Sequence, residues 1–309
     1  MVFKSSPELF GFEKFAILKK LPSCDPDIIS FYLSGQFSGE LKYLNNFERP
    51  ARFLKKFPYL KSIITLLSSY YQGEKAASEG FTKYLARFSW GYDYHLNLKK
   101  AATDFFLSNF AEVTNKPWFV VLSDNHPLNE KFIANCAGLG FFGKNSLLIN
   151  RELGSFFNIT LILTEADFEE RTFKETGECG NCEICFKACP AGALEIPNYL
   201  KVNRCISFHT IENKKEIPLD VLKIIEKKYF YGCDICQTCC PYNSGLKISD
   251  KGWNRPFQYE KLINKYLTCV PTEALTEEFR QEFSLLGLNR FTLDRFKKNY
   301  RTIIEGVYE

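Results

Sequence analysis

No apolar run in this 309-residue chain approaches the ~20 residues that a membrane-crossing helix needs, which argues against a helical membrane anchor. The N-terminal stretch MVFKSSPELFGFEKF also lacks the continuous apolar segment of a secretory signal. Both absences point to the cytoplasm, where thiols stay reduced and structural disulfides are rare. Charge of one sign is scarce as well. Forty Lys and Arg against 36 Asp and Glu leave a net +4, which permits nucleic-acid binding but does not argue for it. Aromatic residues are plentiful, with 30 Phe and 16 Tyr, and serve equally an ordinary core, a large flat ligand or stacked bases. A chain of this length, 45% apolar and 25% charged, buries a sizeable core as one large domain or two smaller ones.

Cysteine is present in strings. CGNCEICFKACP runs from Cys179 to Pro190, and CDICQTCCP from Cys233 to Pro241. Thiolates three residues apart, with a fourth before proline, are the ferredoxin pattern for [4Fe-4S] clusters, in which the fourth cysteine crosses to the other cluster. The second string lacks one thiolate, because Phe230 stands where it would begin. Cys205 makes up the deficit. The expected sets are then Cys179, Cys182, Cys185 and Cys240 for one cluster, and Cys189, Cys205, Cys233 and Cys236 for the other. Cys239 is left as a spare or as a substitute for Cys240. Zinc, which favours separated CxxC pairs, and disulfides are the competing readings.

Taken in order, the chain predicts helices over 7–15 and 25–37, with Cys24 between them as a structural or free thiol, then a basic amphipathic stretch with Arg49, Arg52, Lys55 and Lys56. Those charges read as a solvated face or as a phosphate-contacting patch. SIITLLSS over 62–69 predicts a buried strand. Arg87, Trp90, Gly91, Tyr92, Asp93, Tyr94 and His95 form a ligand-loop candidate, followed by a helix over 94–110 whose apolar side includes Leu96, Leu98, Phe105 and Phe106. His95 alone is equally a packed histidine. A strand over 118–122 ends at SDNHP, setting Asp124, Asn125 and His126 at the carboxyl end of a strand, where an α/β sheet commonly exposes functional groups, and a helix over 128–137 leads into GLGFFGKNS. That glycine pattern lacks the preceding strand that a dinucleotide fingerprint requires, although its loop backbone permits close approach of a ligand. A strand over 157–164 completes an α/β or α+β sheet domain at roughly residues 40–170. A charged helix over 218–228 separates the cysteine strings. Helices over 258–267, 272–286 and 292–300 make up the tail, whose Arg290, Arg295, Lys297, Lys298 and Arg301 read as an RNA-backbone patch or a solvated face.

The joint order of RFSWGYDYH, SDNHP, AGLGFFGKNSLLI, the two cysteine strings and RCISFHT resembles the epoxyqueuosine reductase family over most of residues 40–250. The resemblance implies an α/β (α+β) cobalamin-binding and catalytic domain (1–170), a ferredoxin-like module with two [4Fe-4S] clusters (171–250) and a helical C-terminal segment (251–309). It implies reduction of epoxyqueuosine to queuosine at the wobble position of tRNA. Electrons would come from an external low-potential donor through the clusters to cobalamin, with Asp124 as proton donor. A carboxyl in an apolar cavity would have the raised pKa that this role needs. By the same resemblance Arg87, Gly91, Tyr92, Asp93, Tyr94, His95, Lys131, Gly138, Gly140, Gly143, Lys144 and Asn145 shape the cofactor pocket and substrate cleft. The implied protein is a cytoplasmic monomer with no membrane partner. The chain departs from the family at Asn125, where Thr or Ser is usual, at Lys131, where Arg is usual, at Cys239, which replaces a small apolar residue, and in its shorter tail. A corrinoid iron-sulfur reductase acting on a small molecule, of the reductive dehalogenase kind, is the alternative, and a non-enzymatic electron carrier the third reading.

Overall fold

The computed structural model describes residues 1–19, 48–74, 80–174, 177–249, 251, 277–288 and 292–306. Cys24, Arg290 and the helices expected over 25–37 and 258–267 lie outside the described residues. The strands are β1 (Lys14–Leu18), β2 (Ser62–Ser69), β3 (Phe119–Leu122), β4 (Phe141–Phe142), β5 (Leu148–Ile149) and β6 (Phe157–Thr164). Helices α1 (Glu48–Leu54), α2 (Tyr94–Ser108) and α3 (Glu130–Cys136) accompany the sheet. The remaining helices are α4 (Ile184–Ala188), α5 (Leu219–Ile225), α6 (Ile235–Thr238), α7 (Glu277–Ser284) and α8 (Leu293–Tyr300).

One sheet carries the order β1-β2-β6-β3, and every pairing in it is antiparallel. The domain is therefore α+β, and the rule that places ligands at the carboxyl ends of parallel strands does not apply to it. All eight residues of β2 are buried because the sheet is covered on both faces. Ile63 and Leu67 face α1 and α3, while Ile64 and Leu66 face Leu98, Ala102, Phe105 and Phe106 of α2. Each fully buried Phe contributes roughly 1.5–3 kcal/mol, so α2 is clamped to the sheet along its length. Leu96, expected on that face, is 56% exposed instead.

The expected helix over 7–15 is replaced by a single 3-10 turn, Pro7–Phe10, and β1. Gly11, at φ 86°, ends the turn in the left-handed conformation that glycine tolerates. The following KFAIL then pairs with β2 from Lys14↔Leu67 to Leu18↔Ile63, completing a sheet edge that a helix would leave open.

A separate core joins the cysteine module to the tail. It contains Leu85, Trp90, Ile206, Val221, Ile225, Phe230, Phe283, Leu286, Phe296 and Ile303. Phe230, at the position where a further cysteine would start the second string, is fully buried, with edge-on contacts to Phe296 at 5.0 Å and Tyr300 at 5.4 Å. The missing thiolate thus serves the packing of α8. The tail also grips the segment ahead of α2: Leu285 O accepts from Asp93 N at 2.7 Å, and Gly91 O accepts from Gly287 N at 3.0 Å. Its charges are engaged, Lys298 with Glu216 at 2.8 Å, Arg301 with Glu305 at 4.0 Å and Arg295 facing Glu212. No described helix is long and apolar enough to cross a membrane.

Candidate active site and cluster seam

Strand β3 delivers the chain to Asp124, whose φ of 57° turns the loop sharply, a conformation that Asp accepts more readily than most residues. The turn is fixed from below by Glu130, on the first turn of α3. Its Oε1 accepts the Asp124 N–H at 2.8 Å and lies 2.7 Å from His126 Nε2. His126 Nδ1 accepts from Leu128 N at 3.2 Å, so the ring proton sits on Nε2 and is donated to Glu130. Burial raises the Glu130 carboxyl above its ordinary range, and the His126 contact pulls it back.

Asp124 Oδ2 meets two groups from the start of α2. Tyr94 Oη donates to it at 3.1 Å, and His95 Nε2 stands 2.9 Å away. His95 Nδ1 faces Asp93 Oδ1 at 2.6 Å, and the same oxygen caps the helix by accepting the His95 backbone N–H at 2.9 Å. Asp93 and His95 are both buried, whereas the Asp124 side chain is 39% exposed toward a cleft. The deeply buried carboxyl expected here is therefore Asp93. Asp124 is the member of the chain that reaches the open space.

That cleft encloses about 510 Å³ between the sheet domain and the cysteine module. Its walls are largely apolar, with Phe88, Leu148, Phe157, Ile159, Leu194 and Phe208, and among the predicted residues Tyr94, Asp124, Lys131 and Asn145 line it. Cys189, Cys233 and Cys236 border it from the other side.

The other predicted residues stand elsewhere. Arg87 is 2% exposed and sits in the seam between the two regions. Its Nη2 pairs with Glu74 at 2.9 Å, its Nη1 donates to Thr238 Oγ1 at 3.0 Å and lies 3.8 Å from Asp234 Oδ2, and its backbone N–H donates to Asp234 Oδ2 at 2.7 Å. The guanidinium also lies 4.8 Å from the Phe156 ring centre. Burial pushes Asp234 up to about 6 against the lowering pull of Arg87. Gly91 and Tyr92 contact the tail, with Tyr92 bridged to Leu286. The glycine loop packs on the chain itself: a side chain at Gly138 would strike the Phe173 carbonyl, at Gly140 the Ile149 carbonyl, and at Gly143 the Ile149 and Asn145 side chains. These glycines permit internal packing and leave no space for a ligand at those atoms. Lys144 N donates to Cys179 Sγ at 3.4 Å, and Asn145 Nδ2 donates to Cys236 O at 3.2 Å. The loop thus touches both cysteine strings. Ser155 completes the seam through Gln237 at 3.0 Å and Asn243 at 2.7 Å. Sequence reasoning set His126 beside Asp124 at the strand end but missed Glu130, Ser155 and Asp234; the i,i+4 spacing of His126 and Glu130 was the one local signal available.

The nine cysteines from Cys179 to Cys240 form no disulfide, which removes the disulfide reading for them. Among the described residues no three metal-binding side chains converge as on a single ion, whereas a four-iron cluster distributes its thiolates over separate irons. The thiols gather in two groups, and Cys239 as well as Cys240 stands in the first. Burial, then Cys239, Cys179, Cys240 and Cys182, raises Cys185 to about 11. Burial, then Cys233, Cys205 and Cys189 among its thiol neighbours, raises Cys236. Cluster loading must therefore displace protons from these sulfurs. Cys205→Ala is expected to lower bound iron from about eight atoms to about four, while Cys239→Ala keeps about eight. Iron analysis with electron paramagnetic resonance checks both, and equal loss in the two variants would overturn the assignment.

Residues 178–243 match the family model for a 4Fe-4S double cluster binding domain, and residues 51–116 match the model described as Epoxyqueuosine reductase QueG, DUF1730. The two clusters belong to the first of these segments. An epoxyqueuosine reductase from Cyclobacterium marinum is 30% identical over 271 residues, covering 87% of this chain and 84% of the relative. One from Gloeobacter violaceus is 32% identical over 244 residues, covering 78% and 75%. The crystal structure of an epoxyqueuosine reductase with an epoxyqueuosine-modified tRNA stem loop superposes with a TM-score of 0.75 at 27% identity, covering 95% of this chain and 77% of that one. A Bacillus subtilis epoxyqueuosine reductase, in which an aspartate-bearing catalytic loop is swung out of the active site, gives 0.73 at 26% identity, covering 95% and 77%. With 30% identity to a relative over 87% of this chain and a common fold over 95% of it, the chain belongs to the epoxyqueuosine reductase family of oxidoreductases.

Proposed function

We propose that this protein reduces epoxyqueuosine to queuosine at the wobble position of tRNA, with cobalamin in the cleft and Asp124 as proton donor. The observation that carries the reading is a single cleft: the Asp124 carboxyl lines one side and three cysteines of the two strings line the other. The cleft residues suit a broad, mostly apolar ring with polar edges. Phe88, Leu148, Phe157 and Ile159 offer flat apolar walls, and Lys131 and Asn145 offer donors. Ser146 Oγ, between two cleft-lining residues, is buried with no hydrogen-bond partner among the described residues, as a donor awaiting a ligand would be. When bound, cobalamin supplies a cobalt centre that accepts single electrons from the clusters and acts as the reductant no side chain can be.

The protein's own part is the proton. Removing the epoxide oxygen as water, with a double bond left between the two carbons, consumes two electrons and two protons. Asp124 is placed to protonate the departing oxygen. Between Asp124 Oδ2 and His95 Nε2 one proton serves two acceptors, and Asp93 holds the other ring nitrogen as a donor. A proton spent by Asp124 can thus be replaced through His95, while the Tyr94 hydroxyl keeps the carboxyl oriented. Anaerobic incubation of the reconstituted protein with epoxyqueuosine-containing tRNA and a chemical reductant, followed by nucleoside analysis, is expected to yield queuosine. No product from protein loaded with both clusters and cobalamin would overturn the reading.

A further inference from the structure

The loop that carries Asp124 walls a second cavity on its far side. Asn125, His126 and Pro127, with Leu122 behind them, form one wall, and Arg49, Arg52 and Lys56 of the α1 segment form the other, around about 500 Å³. We infer that this second cavity binds a backbone phosphodiester of the RNA substrate next to the nucleoside being reduced. The inference rests on the proposed function for its substrate and adds a subsite to it.

Charge is the first argument. Three of the eight lining residues are cationic and none is a carboxylate. Arg49 and Lys56 have no ion-pair partner among the described residues, and Arg52 meets Glu48 one turn away at 3.7 Å, with both side chains largely exposed. Such an exposed pair is worth little and yields readily to a stronger anion. His126 offers no competing charge, since its Nε2–H is already donated to Glu130. Arginines with a lysine suit phosphate oxygens by fork and point-charge contacts respectively.

Position is the second. Asp124 lines the first cavity and Asn125 the second, so consecutive residues divide the two. A nucleoside presented to Asp124 brings its flanking phosphate across the same loop. The alternative basic surface, on α8 and the turn after it, has carboxylates set among its cations, Glu216 by Lys298, Glu305 by Arg301 and Glu212 facing Arg295, whereas no carboxylate lines the second cavity. The α1 patch therefore replaces the tail as the phosphate-contacting surface among the described residues.

The test uses the cluster-loaded protein and an anticodon stem-loop carrying epoxyqueuosine. The triple variant Arg49→Gln, Arg52→Gln, Lys56→Gln is compared with wild type across a salt series, and cobalamin uptake is followed separately by absorbance. The expected result is weaker RNA binding with the slope of log K against log salt reduced by about 0.7, the value for one phosphate contact to a single strand. Cobalamin uptake should stay unchanged. Arg49→Lys with Arg52→Lys should retain most of the salt slope. Equal RNA binding by variant and wild type would overturn the inference. Loss of cobalamin uptake with RNA binding intact would also overturn it, assigning the phosphate to the cofactor's own nucleotide. A wild-type protein that fails to bind the stem-loop would instead overturn the proposed substrate.

Discussion

Asp124→Asn is expected to lower turnover by about 10²–10⁴-fold, the usual worth of a positioned general acid, while both clusters stay bound. The substitution conserves shape. Asn can set its amide nitrogen where Oδ2 stands, donating to His95 Nε2 and to the Tyr94 hydroxyl, so the loop set by Glu130 should hold its conformation. What it cannot do is release a proton and take it back. The measurement is single-turnover nucleoside analysis under anaerobic conditions, and retained turnover would sink the assignment of Asp124. A second variant separates proton handling from mere scaffolding. If His95 acts through Asp124, then His95→Gln should slow turnover alone but add little to Asp124→Asn, because groups working as a unit are non-additive. Multiplying effects would mean that His95 only packs.

The reach of the sequence follows from how local each signal is. The eight buried residues of β2 announce a strand covered on both faces, and the thiols of the strings gather in two groups, the first holding Cys239 beside Cys240. Asp124 was legible because a short polar run directly after an apolar strand has few structural uses. Arg87 and Asn145 show the limit. Arg87 stands in a motif beside cleft residues but is held by Asp234, 147 positions away, and Asn145, which lines the cleft, also holds the Cys236 carbonyl, 91 positions away. A motif marks such residues as constrained without saying whether ligand or distant chain constrains them. The tail shows the same limit. Its cations read equally as an RNA surface or a solvated face, and the structure adds that Phe296 and Ile303 on the same segment are core residues while the charges around them meet acids from 212–216 and 305. The expected helix over 7–15 failed because an unpaired edge of β2 outcompeted local propensity.

The buried position of Arg87 leads to the second large effect. Arg87→Leu is expected to cost about 3–5 kcal/mol, because it leaves Asp234 as an uncompensated charge in the seam. Both side chains of the pair are 2% exposed, so water cannot make good the loss; the Glu74 contact, 60% exposed on its side, adds little. The damage should fall on the cluster module, since Asp234 stands between Cys233 and Cys236 and holds Gln237 through its Oδ1 at 3.1 Å. Bleaching of cluster absorbance in a urea series reports it, with the midpoint moving to lower urea than in wild type. Arg87→Lys should not rescue, because an ammonium cannot reach Glu74, Thr238 and Asp234 together while lying against Phe156. Adding Asp234→Asn to Arg87→Leu should recover part of the loss, because Asn still accepts the N–H of residue 87 without burying a charge. That recovery distinguishes an electrostatic joint from a space-filling one. A double variant no more stable than Arg87→Leu, or an Arg87→Leu protein that holds its clusters as well as wild type, would show that the seam does not depend on this ion pair.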